Sequence, residues 1–531
     1  MTSSHGWWSR IGGYAADIMS VLADEPERIV AHWRDRRFSA RELTGSVTGT
    51  YRAMRTLDVG PGSVVGILVA PNSPDMLTAR YAAHLLGAAV CYLRTTNPGS
   101  NAAALSAADQ LRMLRETHAA VVYADDENHA RALELADGAG GGITVLGPAA
   151  EGDVPASEAV TRWDPQRLAV VGYTSGSTGR PKGIRMSGRA WEGTVRITLA
   201  PETDPIHLLV TTPLSHTVGP MADAAVTSRG TLVLREEFRA ERFADDIAEH
   251  GVTRAFMATA HLYRLHDHLA DLDAPERTAA ALATLRHLVY SGSSAAPARV
   301  ADAVRLFGPR LLQAYGTSEG GRVTLLDPGE HYDPWLSTTV GRPFPEVEIS
   351  LYDTESGARV SPGEVGEVWM RSPHLMDGYW NDDDLTARVL RDGWYATGDI
   401  GYLDERGYLH LLGRTSEVVK VNGVKIHPTV VEQEILAIDG VRHAAVYGWR
   451  DDDAIESLHA AVAFQPGSAP TADEIRKHVS TSLSAAHAPS EIFVLDELPT
   501  NHSGKADKVL LRSLHSRRAH APHGVAERRK P

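Results

Sequence analysis

Cysteine is nearly absent from this chain: one residue among 531. That excludes an intramolecular disulfide, and Cys91, set in the apolar run 88–93, reads as a buried, unreactive thiol. Positive charge is in deficit, since 53 Lys and Arg against 67 Asp and Glu leave a net charge of -14. Such a balance argues against a nucleic-acid or anionic-membrane partner while leaving room for a local basic pocket. No apolar run approaches the ~20 residues that span a bilayer, and Met1 to Gly13 has tryptophans but no apolar signal-peptide segment, so a cytoplasmic enzyme is the expectation. Internal repeats and long low-complexity tracts are also missing. What remains, 43% hydrophobic and 23% charged, is ordinary globular composition. The length exceeds the roughly 250–300 residues at which one core stops growing, which requires at least two domains.

The first part of the chain alternates strand and helix signals. Ser39-Ala40-Arg41-Glu42 is a capping box opening a helix. The run 64–70 reads as a buried strand, followed by a Pro-Asn-Ser-Pro turn and a helix to Leu86; 90–93 and 120–123 read as further strands. This rhythm, resumed after Leu208, implies parallel sheets covered by helices. From about Val340 short alternating segments such as Gly366-Glu367-Val368-Trp369-Met370 read as an antiparallel β unit, and after Gly413-Arg414 comes a shorter α+β segment ending near Leu514. The tail 515–531, basic and with three histidines, reads as disordered rather than metal-binding.

The most informative stretch is Tyr173-Thr174-Ser175-Gly176-Ser177-Thr178-Gly179-Arg180-Pro181-Lys182-Gly183, fed by the apolar run 168–171. Glycines let a backbone turn tightly and aim several N–H groups at one anion, while hydroxyls and a lysine add donors suited to a triphosphate. A Walker-type loop is excluded, because proline precedes Lys182 and glycine follows it where Gly-Lys-Ser/Thr is needed.

This stretch resembles the phosphate loop of the acyl-adenylate-forming (AMP-binding) superfamily, closest in pattern to the AMP-forming acyl-CoA synthetases. The resemblance runs from roughly Glu25 to Leu514. It implies that Thr174, Ser175, Gly176, Ser177, Thr178, Gly179 and Lys182 hold the phosphates of ATP. Gln313-Ala314-Tyr315-Gly316-Thr317-Ser318-Glu319 resembles the segment in which the tyrosine stacks on adenine while Thr317 and Glu319 serve phosphates and Mg²⁺; a hard cation wants such oxygen ligands. The same segment formally matches a hydrolase nucleophile elbow at Ser318, but that elbow must open a helix and residues 321–326 look extended. Asp399, in Trp394-Tyr395-Ala396-Thr397-Gly398-Asp399, would accept both ribose hydroxyls, with Arg414 beside it. Gly413-Arg414-Thr415-Ser416-Glu417 resembles the interdomain hinge, with Ser416 where relatives carry Asp or Lys. Leu498-Pro499-Thr500-Asn501-His502-Ser503-Gly504-Lys505 resembles the loop bearing the catalytic lysine. Lys505 would bind the acid and the α-phosphate oxygens in an in-line attack governed by positioning and charge neutralisation.

For the acid the resemblance implies a pocket of His216, Thr217, Thr259, Tyr290, Ser294, Gln313 and Gly320, with Gly292 and Ser293 near the base. Core packing is an equal reading of His216. Two departures stand out. Ser293-Ser294 replaces Ala-Pro, and Thr259 replaces a second proline. Added hydroxyls in a mostly apolar pocket need partners, so a substituted aryl or otherwise polar acid is expected over a plain fatty acid.

The expected fold is α/β: a large N-terminal domain of two helix-covered sheets plus a small β-barrel-like unit over 1–413, a hinge at 414–417, and a small α+β lid domain over 418–514. The expected reaction is ATP plus a carboxylate giving acyl-AMP and pyrophosphate, then thioester formation with CoA. A carrier-protein phosphopantetheine is an alternative thiol, and nitrite coupled to an aryl amine, as in diazotases, an alternative acid. A non-catalytic nucleotide sensor is the reading from a different class, opposed by the joint presence of Lys505, Glu319 and Asp399.

Overall fold

The computed structural model describes residues 11–97, 105–149, 162–175, 181–199, 203–272, 274–450, 455–465, 467–499 and 506–519. Its strands gather where long apolar runs leave no solvent face. Val64–Leu68 is buried at every position, as a parallel strand covered on both sides requires. It lies inside a seven-stranded sheet running Gly378–Tyr379, Pro181–Ser187, Leu168–Ser175, Ala89–Tyr92, Val64–Leu68, Val121–Ala124 and Thr144–Leu146. A nine-stranded sheet places Gly321–Leu326, Leu311–Thr317, His287–Ser291 and Arg254–Ala258 side by side. One hydrophobic core joins the two, taking Val65, Ile67 and Val90 from the first sheet, Val30, Leu208 and Leu232 from the second, and Tyr81, Trp191 and Met221 from helices between them. The capping box forms as expected: the Ser39 hydroxyl accepts from the Glu42 N–H at 3.2 Å, and the Glu42 carboxylate from the Ser39 N–H at 2.7 Å.

A charged lock sits within this core. Arg80 and Asp223 are fully buried and ion-paired. Tyr81 and Trp191 donate to the same carboxylate at 2.7 and 2.8 Å, and Arg80 donates to the Tyr92 hydroxyl at 3.1 Å.

Strands Glu348–Tyr352, Gly366–Arg371, Trp394–Leu403, Leu390–Arg391 and Leu409–Arg414 form the antiparallel β unit. The small domain pairs Val441–Arg450, Glu456–Phe464 and Glu491–Val494 over the helices Pro428–Leu436 and Ala472–Ser482. It meets the large domain through Lys425 to Glu355 at 2.5 Å and Arg442 to Asp267 at 4.0 Å. One boundary needs correction. The helix Lys508–Ala519 continues past 514, and His515 is buried against Trp449, with ring centroids 4.0 Å apart. An aromatic ring packed into the small domain is the reason the chain does not become a tail at 515. No helix among the described residues is long and apolar enough to cross a membrane.

Candidate active site

The hairpin Leu168–Ser175/Pro181–Ser187 sets Thr174 across from Lys182. The ammonium of Lys182 lies 5.9 Å from the centroid of the Tyr379 ring. Tyr379 donates its hydroxyl to Glu319 at 2.9 Å, and burial, then the Glu319 charge, raises the phenol above its ordinary pKa, so it stays a donor. Glu319 stands in the turn between Leu311–Thr317 and Gly321–Leu326. That turn is closed by the Gly320 N–H donating to the Thr317 hydroxyl at 2.8 Å, and Ser318 is exposed on it.

A second cluster adjoins the first. Asp399 faces Arg414 across an antiparallel pair, with 3.1 Å between Oδ1 and Nε. Its other oxygen accepts the Tyr315 hydroxyl at 2.6 Å. The bend that aims Asp399 comes from Gly398 at φ 72° and from the Thr397 hydroxyl, which accepts the Asp399 N–H at 3.0 Å. Burial works against the Arg414 charge, but Asp399 and the neighbouring tyrosines outweigh it and raise its pKa. Thr174, Lys182, Glu319, Tyr379, Tyr395 and Arg414 all border one cleft of about 710 Å³. Sequence reasoning missed Tyr379, in the two-residue strand Gly378–Tyr379, and gave Tyr395 no role although it stands in the Asp399 motif; a lone aromatic in a strand carries no chemical signature of its own.

The expected acid-pocket residues do not all behave as expected. Tyr290 is fully buried, and its hydroxyl reaches Gln313 and His331, each at 3.1 Å. Strand register puts Tyr290 directly beside Gln313, which is why the pair satisfy each other inside the core and present nothing to a substrate. The Thr259 hydroxyl is likewise engaged, donating to the carbonyls of Ser293 at 3.0 Å and Ser291 at 3.3 Å. It supports the loop that carries Gly292, Ser293 and Ser294, all exposed, and asks no hydrogen bond of the acid. His216 is exposed, with Nε2 2.9 Å from the Thr95 carbonyl, which answers the core-packing alternative; Thr217 is exposed beside it and Gly320 is buried in its turn. Gly176, Ser177, Thr178, Gly179 and Lys505 lie outside the described residues, and of Ser175 only the backbone is described.

A strand-borne carboxylate–arginine–tyrosine cluster beside a lysine- and hydroxyl-bearing hairpin, on a large α/β domain with a small companion, defines a nucleotide-using ligase. The AMP-binding enzyme model matches residues 20–380 and the AMP-binding enzyme C-terminal domain model residues 430–505, so the chain belongs to the AMP-binding enzyme family. It is 29% identical to a medium/long-chain-fatty-acid–CoA ligase of Mycobacterium tuberculosis, over 93% of this chain and 89% of the relative. It is also 29% identical to an indoleacetate–CoA ligase of Aromatoleum aromaticum, over 93% and 96%. Among solved structures, the amide bond synthetase from Marinactinospora thermotolerans superposes with a TM-score of 0.83 at 32% identity, covering 94% of this chain and 99% of that one. The chain is thus an AMP-forming ligase of the acyl-CoA synthetase kind.

Proposed function

We propose that this enzyme joins a carboxylic acid to AMP and then passes the acyl group to the thiol of CoA. The observation that carries the reading is the convergence of Thr174, Lys182, Glu319 and Arg414 on one cleft, with Tyr315 and Asp399 bonded to each other behind it. An acid oxygen attacks the α-phosphorus, the bond to pyrophosphate breaks, and the thiol later displaces AMP. Asp399 and Arg414 fix the ribose, Tyr315 the base, and Lys182 with Thr174 the leaving phosphates. Glu319 uses one oxygen for Tyr379 and keeps the other for a cation, a donor set that fits Mg²⁺ retaining water and phosphate ligands. When bound, Mg²⁺ would neutralise phosphate charge. Lys505, by its place in the motif, supplies the charge that follows the attacking and bridging oxygens.

The second half-reaction needs the lid to move, and hydrogen bonding supports a pivot at Ser416. Thr415 is tied to the large domain, its hydroxyl donating to the Gly398 carbonyl at 3.1 Å. Glu417 is tied to the small domain by Lys508 at 2.8 Å, and Lys508 also holds Glu432 at 2.9 Å. Ser416, exposed between them, is left as the turning point.

The 32% identity to an amide bond synthetase favours one second reading, in which an amine replaces the thiol as acceptor. The test is acid-dependent pyrophosphate release, with CoA and amines offered separately. Lys505→Ala should slow adenylation by about 10²–10³-fold while still converting a supplied acyl-adenylate. Near-wild-type adenylation in that variant would end the assignment of Lys505.

A further inference from the structure

Strand alternation gives the nine-stranded sheet two different faces. On one, Leu288 and Tyr290 are packed into a closed core. On the other, Phe256 and Val289 turn toward the core shared with Trp191 and Val195 of the helix Gly188–Leu199. Phe256 pairs with Val289, Val289 with Leu312, and Gly316 with Arg322, so Arg322 projects from this second face. Phe256, Val289, Ala314, Arg322 and Gly193 of the helix are only half-buried although they lie between a sheet and its covering helix. The seam between that helix and the sheet is therefore not sealed from solvent.

The polar groups in that space lack protein partners. Among the described residues, no carboxylate, hydroxyl or carbonyl meets the Arg322 guanidinium. Burial, and then the charge of Arg254, lowers its pKa to about 10, still well above neutrality, so it remains a cation. His374 is 2% exposed, and neither ring nitrogen has a hydrogen-bond partner. Two glycines make room for it: a Cβ on Gly193 would stand 2.4 Å from its Nδ1, and one on Gly321 would stand 2.8 Å from its Cβ. A half-buried cation with no counter-charge is an arrangement that an anion would complete. An arginine fork is matched by a carboxylate, which can accept two parallel hydrogen bonds.

We propose that Arg322, with His374 beside it, forms a subsite for a second carboxylate, so that the enzyme's preferred acid is a dicarboxylate whose distal end lies between the helix Gly188–Leu199 and the strand Gly321–Leu326. The proposal rests on the adenylation reading. The proximal carboxylate meets the α-phosphate at the Glu319 turn, and Arg322, three residues along the strand, selects the distal one. Arg322 is thereby a specificity-determining residue that touches the substrate away from the reacting atoms.

The experiment is ATP–pyrophosphate exchange on the full chain with matched pairs of acids, such as benzoate with isophthalate and terephthalate, and phenylacetate with phenylenediacetates, across a range of lengths. The wild type should favour the diacid of at least one pair by roughly 10²-fold in kcat/KM. Arg322→Met should collapse that ratio, and Arg322→Lys, which keeps charge without the fork, should leave an intermediate ratio. The wild-type ratio needs no variant, so a misfolded mutant leaves the proposal falsifiable. A wild type that prefers the monoacid of every pair overturns it, as does a folded Arg322→Met enzyme that keeps the diacid preference. Exchange with monoacids alone removes the subsite and leaves adenylation standing, whereas no exchange with any acid overturns the adenylation reading and the subsite together.

Discussion

Two arginines of this chain, one fully buried and one half-buried, teach opposite lessons. Arg80 is sealed in the core between the sheets, where Asp223 takes its charge and the Tyr92 hydroxyl a further N–H. Arg322 projects from the sheet near the Glu319 turn, and among the described residues no carboxylate meets it. The first arrangement neutralises its charge without any ligand, leaving only the Arg80 Nε unpartnered, and ties the helices Pro74–Leu85, Gly188–Leu199 and Val218–Thr227 to one another. The second has no counter-charge among the described residues, and the proposed distal carboxylate would supply it. Thr259 belongs with Arg80, its hydroxyl engaged by backbone carbonyls, and His374 belongs with Arg322. Whether a buried polar group is satisfied from within the chain thus separates scaffold from site more sharply than residue type does.

Breaking the satisfied half should give the largest effect. Asp223→Ala leaves the Arg80 guanidinium buried and unpaired, and a loss of about 3–5 kcal/mol is expected in chemical denaturation. A loss below about 1 kcal/mol would show that water or a rearranged side chain replaces the carboxylate, and the lock would not be one.

His374 gives the next effect, visible through pH. Burial, then Arg322 and Arg189, lowers its pKa to about 4 in the folded protein, against 6.5 unfolded. Between those values the unfolded chain binds a proton that the folded chain does not, so this contribution to stability is whole above pH 6.5 and is lost as pH falls toward 4. From pH 7 to pH 5 the wild type should lose about 2 kcal/mol more than His374→Gln. Equal losses in the two proteins would mean that the ring is solvated or paired in solution.

How much of this was legible in the sequence follows from how local each signal is. The residues proposed to hold the nucleotide were readable as motifs because each motif lies within a few residues: Thr174 and Lys182 on one hairpin, Gly398 and Asp399 at one bend. Arg414 lies far from Tyr315 in sequence, yet each belongs to a motif with its own pattern. The acid pocket was poorly readable. Which face Tyr290, Gln313 and Arg322 occupy is fixed by register between strands and by the extra residue between Tyr315 and Gly316 pairings, and none of that is written within a single segment. The run 321–326 is extended as its pattern implies, but its single charge, Arg322, belongs to no motif that marks it in the sequence. The helix beyond Leu514 was hidden because a basic, histidine-bearing stretch reads as solvated until Trp449 and Phe493 are found beside His515.

The proposed hinge extends the same contrast to backbone. Thr415 and Glu417 are held by opposite domains and Ser416 by neither. Ser416→Pro fixes φ near -65° and restricts the residue before it. Pyrophosphate exchange and thioester formation from supplied acyl-adenylate should then diverge by roughly tenfold or more, since one lid arrangement is favoured over the other. Equal retention of both would place the pivot elsewhere in 414–417.

The smallest expected change is also the sharpest discriminator between the two arginines. Arg322→Met removes a charge that no carboxylate among the described residues compensates and fills its place with an apolar chain. Replacing buried ionic groups by well-packed hydrophobic ones is commonly neutral or stabilising, so the variant should keep wild-type stability or gain up to about 1 kcal/mol. An arginine serving as scaffold would behave as Arg80 does and lose several. Adding a dicarboxylate that the wild type activates should raise the wild-type melting temperature and leave Arg322→Met unmoved at the same concentration, because a ligand stabilises only the state that binds it. A variant that loses more than about 2 kcal/mol without ligand would place Arg322 with the core, and the difference between the two arginines would be one of degree.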